Sequence, residues 1–386
     1  MSGTAVLAGY GADLLVGDPP SWHPVAGFGR AATALEDAVY APNRVRGAAF
    51  AVTLVGAAAL SVELLARTAP RGLVLAAVTW AALGGRSLRH EAERVAGCLE
   101  GGEIDAARAA LRALCGRDAA ELGTRELCRA TVESVAENTS DAVVGALMWG
   151  AFAGPAGVTA YRAANTLDAM VGHRSGRYAE FGYSAAKLDD VMSWPAARIS
   201  VALTALCAPV VGGSWRRVLE IAGRDGGEHP SPNAGRIEAA FAGALGVRLG
   251  GPLAYAGAVE HRPHLGDGEA PELGDIHRAT RLSLAVGTAA AGLGSAVATA
   301  RAAGTRRSAE MPGAAGPTPS AGAPHAAPRF GSSRRGLGLP PVVTFARLSG
   351  KSDHGGTSAL ARRASARPPT PPAPSHTAPH SPGRQQ

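Results

Sequence analysis

Residues 133–144 read ESVAENTSDAVV, and residues 161–173 read YRAANTLDAMVGH, with an uncharged run between them. Two polar motifs flanking an apolar segment decide what kind of fold this is. Carboxylates at the edge of an apolar run are costly to desolvate, so their presence calls for a partner or a function. The concentration continues through LDDV at 188–191, giving Glu133, Glu137, Asp141, Asp168, Asp189 and Asp190 together with Asn138, Asn165, Arg162, Arg174, Arg177 and Lys187. Glu133, Glu137 and Asp141 fall at i, i+4 and i+8. On one regular helix they share a face, where like charges repel unless a cation joins them. Such a ladder suits Mg²⁺, which takes oxygen ligands and keeps waters or phosphates in its shell; a solvated acidic face accounts for the spacing equally well.

Outward from this centre the chain is a series of apolar runs. Of its 386 residues, 46% are hydrophobic, 5% aromatic and only 18% charged, below the roughly 25% charged of soluble domains. Uncharged runs at 47–62, 72–85, 142–161, 199–215 and 282–300 account for the deficit and predict membrane-spanning helices. The first two, joined by RTAPR, read as a membrane hairpin, although the second is short for a span. The run 142–161 contains Gly154-Pro155, with Gly150 and Gly157 nearby, and such clusters break membrane helices. A straight crossing would put the two polar motifs on opposite sides of the membrane. A broken or re-entrant segment brings them together, and that is the expectation.

Residues 1–17 are apolar but interrupted by Gly and Asp13, and no cleavable signal peptide is expected. GDPPSWHPVAGFGR at 17–30 predicts a loop in which Asp18 and His23 are candidates for contact with substrate, a plain connector being the alternative. Residues 86–129 show helical periodicity with a Gly101-Gly102 turn, an extramembrane helical hairpin without assigned chemistry. In HPSPNAGRIEAAFAGALGVRLGG, 229–251, Ser231 or Asn233 is placed to cap a helix that Gly250-Gly251 ends. From about 301 the chain turns to Pro, Ala, Ser, Gly and Arg and predicts a disordered tail. The expected fold class is thus all-α: a polytopic integral membrane helical protein with extramembrane helical segments, a membrane-embedded domain at 1–303 and a disordered tail at 304–386.

The net charge of +7 sits largely in that tail, and no basic-plus-aromatic module points to nucleic acid. Cys98, Cys115, Cys128 and Cys207 have neither CxxC nor zinc spacing and read as reduced, non-catalytic thiols. No glycine-rich phosphate loop is present.

The motifs named so far, with D13/GDP/HPV near the N-terminus and RY followed by FG after the second motif, occur in the order found in the CobD/CbiB-type cobalamin biosynthesis proteins, the adenosylcobinamide-phosphate synthases. The chain resembles that family from about residue 9 to 300. The resemblance implies an integral membrane enzyme, an ATP-dependent amide ligase joining adenosylcobyric acid to aminopropanol or its O-phosphate. It implies a multi-pass protein of the cell membrane with its active site facing the cytoplasm, and other corrinoid-pathway enzymes as partners. Ligases of this kind form an acyl phosphate that the amine attacks. On that chemistry Glu137 and Asp141, with Asp168, are candidates to hold Mg²⁺ on ATP. Arg162, Arg174 and Lys187 are candidates for phosphate. Asp189 or Asp190 is a candidate to order the amine or take its proton. Asn138, Asn165 and Asn233 complete the candidate polar set, with Asp18 and His23. Lys187 stands where the family pattern has Arg, and His173 where an aromatic is common. A corrinoid or small-molecule transporter without catalysis is the alternative, but no internal repeat supports it.

Overall fold

The computed structural model describes residues 3–19, 23–115, 119–173, 176–255 and 258–310. The candidate site residue Arg174 and the tail beyond 310 lie outside them.

The fold is a helical bundle. Helix α1 (Gly3–Val16) leads to α2 (Pro24–Val39), α3 (Arg44–Thr68), α4 (Arg71–Ala82), α5 (Gly85–Glu100) and α6 (Ile104–Leu111). Local chemistry starts these helices where the sequence permits. Asn43 Oδ1 accepts from the Val45 and Arg46 amides at 2.8 and 3.2 Å, capping α3, and His23 Nδ1 accepts from Val25 N at 3.2 Å with Pro24 behind it, capping α2. Among the described residues, four helical stretches are long and apolar enough to cross a membrane: Arg44–Thr68, Thr124–Val171, Tyr183–Val211 and Leu273–Gly304. Helix α4 has only 12 residues, too few for a straight crossing, so α3 and α4 are not a pair of full spans. The reason is local: Leu83 and Gly84 leave helical geometry, and Gly85 starts a new helix.

The second of those stretches is not a rod. Helix α7 (Thr124–Asn138) passes into a π-helical turn (Thr139–Val144) and then α8 (Gly145–Val171). At Gly154 φ is 67° and ψ −152°, a conformation essentially confined to glycine. Pro155 follows and cannot donate to the preceding turn. The chain folds back on itself there. A Cβ on Gly150 would lie 3.0 Å from Val158, and one on Gly145 would lie 2.2 Å from the Tyr161 hydroxyl. Pairs closing symmetrically about residue 154 mark an antiparallel helical hairpin, and small residues let its arms approach. The expected break is present, and both polar motifs emerge at the same end.

Helix α9 (Tyr183–Cys207) packs on both arms, and α12 (Leu273–Glu310) runs beside α1, α5, α7 and α8. Helix α12 continues past the boundary expected at 303. Between them α10 (Trp215–Arg224) and α11 (Ala234–Leu245) pack together. The helix expected to end at Gly250-Gly251 stops earlier, at Leu245, where Gly246 takes a left-handed φ of 72°. Gly250 and Gly251 lie instead in a two-stranded antiparallel hairpin, β1 (Leu249–Tyr255) and β2 (Ala258–Leu265), with a register shift between them. A small second core of Ala32, Phe50, Ala51, Leu167, Val171, Phe181 and Ala185 holds the 176–182 turn against α2 and α3.

Candidate functional site

The π-helical turn carries Asp141. Such turns are rare and concentrate at functional sites. It is held from across the hairpin: Tyr161, fully buried, donates its hydroxyl to the Asp141 carbonyl at 2.9 Å. On the next residue, Arg162 Nη1 donates to Asn165 Oδ1 at 3.2 Å, and Asn165 Nδ2 donates to Asp189 Oδ1 at 3.3 Å on α9. Ser193 Oγ donates to the same carboxylate oxygen at 3.4 Å. Asn165 thereby fixes a cation and an anion at one spacing.

Asp141, Asp168 and Asp189 are electrostatic neighbours of one another. Arg162 faces Asp141, Asp189 and, from the first loop, Asp18. Asp141 and Arg162 are half-buried, each keeping part of its surface open to solvent, so a ligand can reach this partly sheltered recess. The Arg162 Nε is buried without a hydrogen-bond partner. A cation with an unused donor beside several carboxylates is what a site for a charged ligand needs.

Other candidates take different positions. Glu133 does not join the ladder: it is buried and its Oε1 accepts from Gly250 N at 2.7 Å. Arg129 Nη1 donates to Gly250 O at 2.6 Å, so this pair clamps β1. Glu137 is exposed on the same helix and is an electrostatic neighbour of Asp141. Asn138 turns back on α7, its Nδ2 donating to Ser134 O at 2.9 Å. Lys187 pairs with Asp190 at 2.8 Å. His23 caps α2 and lies 3.6 Å from Asp18. Asn233 does not cap α11; the Ser231 hydroxyl accepts from the Asn233 and Ala234 amides. The Asn233 side chain instead ties α11 to α9, donating to Asp190 O at 2.8 Å and accepting from Arg198 at 2.7 Å.

Among the described residues no three His, Cys, Asp or Glu side chains are grouped to hold a metal ion by themselves. The donor chemistry fits Mg²⁺ in its usual manner, one or two carboxylates with the other positions on water and phosphate.

Two charged residues of α1 and α5 carry no chemical role in the sequence reading. Asp13 is fully buried and its Oδ2 accepts from the Arg86 amide at 3.2 Å at the start of α5; burial pushes its carboxyl up to about 6. Half-buried Arg89 faces Asp13 and Tyr10. The available signal was a lone carboxylate in a short apolar helix.

A family model described as CobD/Cbib protein matches residues 6–283. A cobalamin biosynthesis protein CobD from Mycobacterium tuberculosis is 50% identical over 289 residues, 74% of this chain and 92% of that protein. Proteins of the same description from Chromobacterium violaceum and Geobacter metallireducens are 42% and 41% identical, covering 70% and 69% of this chain and 88% and 87% of their own. No solved structure matches.

Proposed function

The chain belongs to the CobD/Cbib protein family of cobalamin biosynthesis, and from that premise we propose that it is an ATP-dependent amide ligase. Its substrates on this reading are adenosylcobyric acid and aminopropanol or aminopropanol O-phosphate. The carboxylate attacks the γ-phosphorus of ATP, giving an acyl phosphate and ADP. The amine then attacks the acyl carbon, the amide C–N bond forms, phosphate leaves, and one amine proton passes to a base.

The observation that carries this reading is the fold-back at Gly154, which delivers Asp141 and the Arg162-Asn165-Asp168 face to one recess with Asp189. Arg162 neutralises phosphate through its unused Nε. Asp141, with Glu137, holds Mg²⁺, which supplies charge neutralisation on the phosphates when bound. Asp189, oriented by Asn165 and Ser193, receives the amine proton. Asp18 and Asp168 line the same recess, and Asp190 keeps Lys187 beside it. ATP is a cytoplasmic reagent, so the recess faces the cytoplasm of a multi-pass cell-membrane protein, within reach of the enzymes that make and use corrinoids.

The test is purified full-length protein in detergent, given ATP, adenosylcobyric acid and aminopropanol phosphate, and assayed for amide product. Product that depends on ATP is expected; equal product without ATP defeats the ligase mechanism. Asp141→Asn, nearly isosteric, should suppress turnover by about 100-fold or more while the protein still inserts and melts normally.

A further inference from the structure

Away from the acidic recess, an apolar groove lies between α12 and the first arm of α8. The two segments run side by side: the Thr139 and Ser283 hydroxyls lie 2.7 Å apart, and a Cβ on Gly294 would stand 3.4 Å from the Leu147 carbonyl. Beside that contact is a cavity of about 180 Å³. Met148 and Phe152 of α8, Ile199 of α9, and Leu293, Gly294 and Val297 of α12 line it, and none of these side chains carries a nitrogen or oxygen. Phe152 and Leu293 are 44% and 46% exposed, so the groove opens outward. Protein interiors are close-packed, and a dry apolar cavity of about 150 Å³ holds benzene. A gap of this size between helices long enough to span a membrane takes several methylenes.

A cation stands at the rim. Arg301 follows Val297 by about one helical turn, and a helical side chain leans back over the turn before it. Its guanidinium lies 6.0 Å from the centre of the Phe152 ring, within cation–π range. From Ser283, beside the π-helical turn, to Arg301 the helix rises about 27 Å. The hydrocarbon core of a bilayer is about 30 Å thick. With the polar motifs at one edge of the bilayer, Arg301 reaches headgroup level at the other. The groove then runs inward from the charge, in the order of a phospholipid: phosphate at the surface, acyl chain within.

We propose that this groove is a binding site for an anionic phospholipid, with one acyl chain against Met148, Phe152 and Val297 and the phosphate on Arg301. The bound lipid braces α12 against the arm that follows Asp141, and it does so without entering the recess. The site stands apart from the ligase reading, which it neither needs nor supports.

The experiment is native mass spectrometry of the full-length protein, delipidated in detergent and given phosphatidylglycerol, phosphatidylcholine of the same chains, or glycerol phosphate. Wild-type protein should retain phosphatidylglycerol about fivefold better than phosphatidylcholine, the scale of one arginine at an anionic surface. Arg301→Gln, at an exposed position, should remove that preference while leaving the retention of phosphatidylcholine unchanged. Gly294→Leu fills the groove and should weaken both lipids. Should Gly294→Leu not fold, Ala290→Leu, which points into the same cavity, carries the test. Equal retention of the two lipids by wild type, or a preference that survives Arg301→Gln, overturns the site. Displacement of phosphatidylglycerol by glycerol phosphate assigns Arg301 to free phosphates and overturns it too, as does retention indifferent to the filled groove.

Discussion

Gly154→Ala is the sharpest probe of how the recess is assembled. The residue sits at φ 67° and ψ −152°, where an L-side chain is strained by about 1–3 kcal/mol. Pro155 cannot relieve the strain, because its own φ is fixed and it has no amide to offer. The cheapest escape is for the two arms of α8 to splay. The folded-back form then loses about 5- to 150-fold in population relative to the splayed one. The arms meet through tight contacts: Tyr161 on the Asp141 carbonyl, and Gly145, which has no room for a Cβ. Splaying therefore separates Asp141 from Asn165 and Asp189. Turnover should fall by a similar factor, and the detergent melting temperature should drop with it. Gly223→Ala is the matched control, since nothing lies within 4 Å of the position where its Cβ would stand and it lies within α10, where alanine is favoured over glycine. Gly154→Ala protein that melts and turns over like wild type would mean that the break does not assemble the site, and the argument from fold-back would have to be abandoned.

Other perturbations separate structural from chemical roles. Glu133→Ala leaves the Gly250 amide and Arg129 without their buried partner and should cost about 2–4 kcal/mol in denaturant titration, against less than about 0.5 for exposed Glu137→Ala. Arg177→Ala removes a 3.0 Å pair to buried Glu36 and a cation stacked 4.1 Å over Tyr40; a lower denaturation midpoint is expected, with Arg177→Lys intermediate. Asp225 is held below the usual carboxylate range by its hydrogen bond from Arg224, with the Gly266 amide adding to it. Its folded value is the lower one, so its contribution is complete above the unfolded value near about 4 and disappears as pH falls through the folded value. Acid melts of Asp225→Asn should therefore lose the part of the pH dependence below about 4, and an unchanged acid profile would count against the pairing.

Local pattern made much of this protein legible in one dimension. Long uncharged runs can only be satisfied as helices in an apolar setting, so the all-α membrane class followed from composition and periodicity. Gly154-Pro155 announced the break, because the backbone limits of those two residues are intrinsic. The concentration of acids, amides and Arg162 around it marked the neighbourhood of the site. Partner choice was a different matter. The i, i+4, i+8 spacing grouped Glu133 with Glu137 and Asp141, but the π turn changes the winding ahead of Asp141 and the β-hairpin claims Glu133 through Gly250, 117 residues away in sequence. Asn233 reads as a helix cap from its neighbours and becomes a bracket between α9 and α11 only when Asp190 and Arg198 are brought beside it. Asp13, quoted only within the N-terminal motif, and Arg89, outside any motif, matter because α1 and α5 meet. Helices, breaks and charge content depend on residues near in sequence, and so the chain alone determined them. Which carboxylate faces a ligand and which holds a strand depends on contacts between distant segments, and the tertiary structure alone decided that.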